Sequence, residues 1–134
     1  MHYLDALFVG GEYRTCVWIS KKATEFLDKK SGKGHDRALN ELLEKVEYWS
    51  KAGFWNFEGG EGFPIKNEGG GVFRLGHRNS MFRLLGFYEN DDKHRFLIID
   101  GFLKLKTKLA NHERERIRQV GFVNKADGWT KSGK

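Results

Sequence analysis

At 134 residues the chain is long enough for one domain with one hydrophobic core. Its 39% hydrophobic and 31% charged content, with 11 Phe and 4 Trp, excludes a disordered chain. The formal charge of +6, from 24 Lys and Arg against 18 Asp and Glu, favours a polyanionic partner, nucleic acid above all. The single Cys16 excludes an internal disulfide and a multi-cysteine metal site. Such cysteine usage suits a reducing compartment, so the cytoplasm is the expected location. No run approaches the roughly 18 apolar residues of a membrane span, and Met1 to Asp5 lack the cationic stretch of a signal sequence, so neither insertion nor secretion is expected.

In chain order, the β-branched and aromatic run Tyr13 to Ile19 follows Gly10-Gly11 and predicts a strand, with Tyr3 to Val9 as its hairpin partner. Ser20 can cap a helix over Lys21 to Lys30, with Ala23, Phe26 and Leu27 on one face. Asp36 is the expected cap of a longer helix to about Lys51, with a stripe of Leu39, Leu42, Leu43, Val46 and Trp49 and a stop at Gly53. Residues 54–62 lack a period and read as a loop with aromatic anchors. Three strands follow, Val72 to His77, Met81 to Tyr88, and His94 to about Leu105, joined by turns short enough to force antiparallel pairing. Gly69-Gly70-Gly71 reads as a flexible approach to the first of them. A polar helix runs from His112 to Val120 and ends at Gly121, and the tail is expected to be disordered. The order predicts an α+β domain: two N-terminal helices on one face of a mainly antiparallel sheet, the other face free for function, and a short C-terminal helix.

The charge is unevenly placed. Residues 1–65 carry nine cations against ten anions, whereas residues 66–118 carry twelve against seven. The excess therefore falls on the strand meander and the polar helix after it.

Alternation sets Arg74 against Phe73 and Leu75, and Arg83 against Phe82 and Leu84, so basic residues recur on adjacent strands. Two arginines on one sheet face repel unless an anion lies between them, and a phosphate suits paired guanidinium forks. Lys104, Lys106 and Lys108 extend the pattern. Any single Arg is more often an ordinary surface charge; the cluster is what carries the reading. His77 has the pKa range of a general acid or base, although a lone His in a basic strand is more often a bystander. Phe87 and Tyr88 could stack on a base, but core packing is the better expectation. Cys16 has no His nearby in sequence, the five His are scattered, and Gly69-Gly70-Gly71 matches no phosphate-loop pattern. No metal site and no cofactor are expected.

From Gly71 to Val120 the chain resembles the RelE/ParE toxin superfamily, in particular its HigB-like, phage-derived branch. The resemblance rests on Val72-Phe73-Arg74-Leu75, Met81-Phe82-Arg83-Leu84-Leu85-Gly86-Phe87-Tyr88, and Phe96-Leu97-Ile98-Ile99-Asp100-Gly101-Phe102-Leu103-Lys104, with Glu113 and Ile117 in a final helix. The helical part from Ala23 to Gly53 agrees in type and order. Leu105 stands where a second Lys is common, and residues 1–12 and the tail 122–134 have no clear counterpart.

The resemblance implies a single RelE-like domain over residues 1–134, similar in fold to microbial ribonucleases. It implies the toxin of a type II toxin-antitoxin system: an endoribonuclease that cleaves mRNA without a metal, commonly on the ribosome, silenced by a helix-turn-helix antitoxin. On this reading Arg74 and Arg83 stabilise charge on the phosphorane, Lys104 polarises the scissile phosphate, and His77 or a substrate group moves protons. Lys66, Arg78, Lys106 and Lys108 grip flanking RNA. Two alternatives remain open at this level, a ParE-like inhibitor of DNA gyrase and a non-catalytic RNA-binding regulator of the same fold.

Overall fold

The computed structural model describes residues 2–30, 35–59, 64–76, 80–104, 111–124 and 129–131. It is an α+β structure built on one seven-stranded mixed sheet. Two strands come first, β1 (His2–Phe8) and β2 (Cys16–Ser20), paired antiparallel. The two helices come after these strands: α1 (Lys21–Lys30) and α2 (Asp36–Ala52). Then come β3 (Ile65–Gly69), β4 (Val72–Leu75), β5 (Phe82–Tyr88) and β6 (Arg95–Leu103), helix α3 (Asn111–Asn124) and a short β7 (Trp129–Lys131). The sheet order is β3-β4-β5-β6-β2-β1-β7. β2 lies parallel to β6 and β1 parallel to β7, while the remaining pairs are antiparallel.

Local chemistry sets the helix ends. The Ser20 hydroxyl accepts from the Ala23 N–H at 3.1 Å and donates to the Ile99 carbonyl at 2.6 Å, capping α1 and tying it to β6. Asp36 is the first residue of α2 rather than its cap; His35 occupies the cap position and makes no side-chain bond. Gly53 ends α2 with φ 95°, which a residue with a β-carbon rarely adopts. Phe54 opens a single 3₁₀ turn and is fully buried, with its N–H bonded to the Thr15 hydroxyl at 3.0 Å.

Both faces of the sheet are covered. On one, α1 and α2 pack Ala23, Leu39, Leu42, Val46 and Trp49 against Val17, Ile19, Phe73, Leu75, Phe82, Leu84, Phe96 and Ile98. On the other, α3 brings Ile117, Val120 and Val123 onto Val72, Leu85, Phe87, Leu97, Ile99 and Phe102. The expectation of one free face is thus corrected, because the alternate positions of β5 and β6 are apolar too and need a second cover. Phe87 and Tyr88 are both buried, one in each core, as core packing requires.

Three further differences from the sequence reading have simple causes. Ile65–Gly69 is a strand, and Gly69-Gly70-Gly71 is its hairpin turn, all three with positive φ. Helix α3 runs through Gly121, where the backbone is helical and a β-carbon would sit in ordinary contact with Val72 at 3.6 Å, so nothing there stops the helix. Residues 2–8, by contrast, are the expected partner strand of β2, with Leu4 fully buried. In the tail, residues 129–131 pair with β1.

Candidate active site

The register of β3 to β6 determines which cations meet. On β4, Phe73 and Leu75 enter the core under α1 and α2, so Arg74 faces the α3 side with Val72. Lys66 is the direct cross-strand partner of Arg74 and shares that side. On β5, Phe82 and Leu84 enter the first core and Leu85 and Phe87 the second, which turns Arg83 to the α3 side as well.

Lys104 reaches the same side through an irregularity. Leu85 pairs with Asp100 but Gly86 pairs with Ile98, leaving Ile99 as an extra residue. Without that bulge the alternation of Leu97 and Ile99 would send Lys104 to the opposite face. With it, Asp100 and Phe102 lie on the α3 side and Lys104 follows, its backbone N–H bonded to the Met81 carbonyl at 2.7 Å.

The electrostatics record the crowding. Burial holds the Arg83 guanidinium below its usual pKa, the charge of Arg74 lowers it further, and Glu113 opposes both. Lys104 is also lowered, first by desolvation, then by Arg74 and Arg83, with Glu113 again opposing and Lys66 adding to the depression. Lys66, Arg74, Arg83 and Glu113 are therefore all in electrostatic range of Lys104.

Arg74 is largely enclosed, with 12% of its side chain exposed. Its Nε lies 2.9 Å from Glu68 Oε2, an ion pair without an aligned hydrogen bond, and its Nη1 is buried without a hydrogen-bond partner among the described residues. A buried donor of this kind costs free energy until an acceptor arrives. Arg83 Nη1 donates to the Phe82 carbonyl at 2.9 Å and to the Ser80 carbonyl, which holds the guanidinium beside the strand end.

The structure thus brings Lys66, Arg74, Arg83 and Lys104 together. His77, Arg78, Lys106 and Lys108 lie outside the described residues. Glu113 is the group that sequence reasoning left out of the site; it is 3% exposed. A signal existed, since Glu113, Ile117 and Val120 fall at i, i+4, i+7, the buried stripe of α3. A carboxylate in the apolar stripe of a polar helix marks a charged neighbour beneath it.

A second carboxylate fixes the helix. Asp100 is buried and accepts both of its Arg116 bonds, at 3.0 and 3.1 Å, with Lys22 at 3.4 Å from the other side. Arg116 comes from α3 and Lys22 from α1, so Asp100 holds the two helices to β6. Among the described residues, no three His, Cys, Asp or Glu side chains converge to hold a metal ion, and no helix is long and apolar enough to cross a membrane. No protein-family model matches the chain, and no curated protein matches it.

Proposed function

We propose that this chain is the toxin of a type II toxin-antitoxin system, a RelE-like endoribonuclease that cleaves mRNA by transesterification without a metal. The convergence of Lys66, Arg74, Arg83 and Lys104 on one sheet face, with Glu113 among them, carries the reading. Further support comes from the order of elements after β1: a strand, two helices over one face, then a meander whose strand β6 returns parallel beside β2.

The chemistry derives from the charge balance. Cations that depress one another's pKa gain most from an anion placed between them, and more from a dianion than from a monoanion. A phosphodiester is a monoanion in the ground state. When the ribose 2′-hydroxyl attacks phosphorus, the pentacoordinate species gathers a second negative charge, so Arg74, Arg83 and Lys104 bind it better than they bind substrate. The 2′-hydroxyl proton passes to Glu113 or to His77. The P–O5′ bond breaks, the leaving O5′ takes a proton from the group that received the first one or from water, and a 2′,3′-cyclic phosphate and a 5′-hydroxyl end result. The enclosure of Arg74 and Arg83 favours a phosphate over the flat surface that gyrase inhibition needs.

Induced expression should arrest growth and leave mapped cuts in translated mRNA. Arg83→Ala and Lys104→Ala, both still folded, should abolish both effects. Unchanged killing by these variants would sink the assignment, and supercoiling defects without cuts would favour gyrase inhibition.

A further inference from the structure

β2 and β6 part company before β6 ends. Their pairing stops at Ile19 and Ile98, β2 closes at Ser20, and β6 continues to Leu103. Helix α1 leaves the sheet at that point on one face while α3 crosses the other. A notch of about 480 Å³ remains between them, within the usual range of small-ligand sites.

The notch joins two kinds of wall. Phe26 and Phe102 give it apolar rings, and Lys22, Lys29, His112 and Arg116 give it cations or titratable nitrogen. Phe26 is held in place, packed edge-on to Phe82 with centroids 6.1 Å apart and lying over Gly101, where a β-carbon would stand 2.6 Å from its ring. Asp100 takes up Arg116, the Gly101 N–H at 2.8 Å and Lys22 at 3.4 Å, so an anion in the notch would meet Lys29 and His112, with Glu25 exposed at the rim. Rings beside cations suit a nucleotide, whose base offers two apolar faces and whose phosphate is anionic.

The notch also adjoins the cation cluster. Phe102 is the cross-strand partner of Arg83, Lys104 is two residues further along the same face, and His112 precedes Glu113. We infer that the notch is a subsite for one nucleotide of single-stranded RNA flanking the phosphate held by Arg74, Arg83 and Lys104. Its base lies against Phe26 and Phe102, and its own phosphate turns toward Lys29 and His112. The identity of the strand rests on the ribonuclease reading.

The test titrates the ¹⁵N-labelled full chain with nucleoside 5′-monophosphates and, separately, with inorganic phosphate, following the Phe26 and Lys29 amides on the α1 side of the notch. At least one nucleotide should shift these amides saturably, and phosphate alone should not. Lys29→Ala and His112→Ala, both at exposed positions, should weaken that nucleotide about three- to tenfold and redistribute the cuts in RNA. Nucleotides that shift only residues around Arg83 and Lys104, or none, overturn the subsite, as does an acidic peptide that competes where nucleotides do not bind. Shifts in the notch of a chain that cuts no RNA sustain the subsite and sink the nuclease. Cuts indifferent to both variants, without shifts in the notch, do the reverse.

Discussion

The side chain of Arg83 lies across the bare backbone of Gly76, where a β-carbon would stand 2.8 Å from its Nε and 2.9 Å from its Nη1. Gly76 is buried at the end of β4, so the guanidinium occupies the volume that any other residue would fill. Gly76→Ala should therefore displace Arg83 from Arg74 and Lys104 while costing about 1–2 kcal/mol of stability. Cleavage should fall at least about tenfold, because a shift of an ångström in a charge-stabilising group is costly. Cleavage rate and urea denaturation measured on the same preparation check this, and a folded Gly76→Ala chain with the original rate would contradict it.

Lys104 makes a pH prediction whose sign is set by its surroundings. Its pKa is depressed below 10.5, so the folded chain releases this proton more readily than the unfolded one. Below the depressed value both states are protonated and the native state carries the full crowding of desolvation, Arg74 and Arg83. As pH rises through the native pKa, the unfolded state binds more protons and this group's contribution to stability increases, until 10.5 is passed. Heteronuclear NMR of the lysine side chains should find Lys104 titrating ahead of exposed lysines. Phosphate in the cluster should move it back upward, and a Lys104 signal indifferent to phosphate would remove it from the anion site.

Asp100 holds α3, and through α3 it positions Glu113. Replacing it by Asn keeps the shape but leaves Arg116 and Lys22 without their charge partner. Removing the buried member leaves no buried charge unpaired, so this is the milder way to break the pair. Arg116 keeps 41% of its side chain exposed and can rehydrate, so the loss should stay near 2 kcal/mol, at or below the low end for such pairs. Hydrogen exchange should speed up along α3 more than along β5. An unchanged α3 in Asp100→Asn would mean that Ile117, Val120 and Val123 hold the helix alone.

Much of the fold was legible because its signals are local. The periods of α1 and α2, the glycine stop at Gly53 and the alternation in β4 and β5 need only neighbours within a few residues. The features that escaped depend on partners far away in sequence. Ile65–Gly69 is polar, with Lys66, Asn67 and Glu68 in a row, and is a strand because β4 pairs with it. The facing of Lys104 depends on one extra residue in β6, invisible without the register of β5. Arg74 and Arg83 were legible as a pair because alternation holds through both strands, while Glu113 joined them only once α3 was laid across the sheet.

Glu113→Gln separates two roles that a buried carboxylate among cations can play. As a counter-ion it raises the pKa of Lys104 and Arg83, and the amide would deepen the depression of both while increasing the net positive charge of the cluster. Inorganic phosphate would then bind as well as before or better, and cleavage would change little. As the proton acceptor for the 2′-hydroxyl it is needed in the chemical step, and the amide should cost about 10²- to 10⁴-fold in rate. Our reading expects the second result: phosphate affinity retained or raised, the chain folded, and cleavage lost by at least about a hundredfold. Loss of both binding and folding would reduce Glu113 to a structural charge. A folded Glu113→Gln enzyme of full rate would leave proton transfer to His77 or to the substrate.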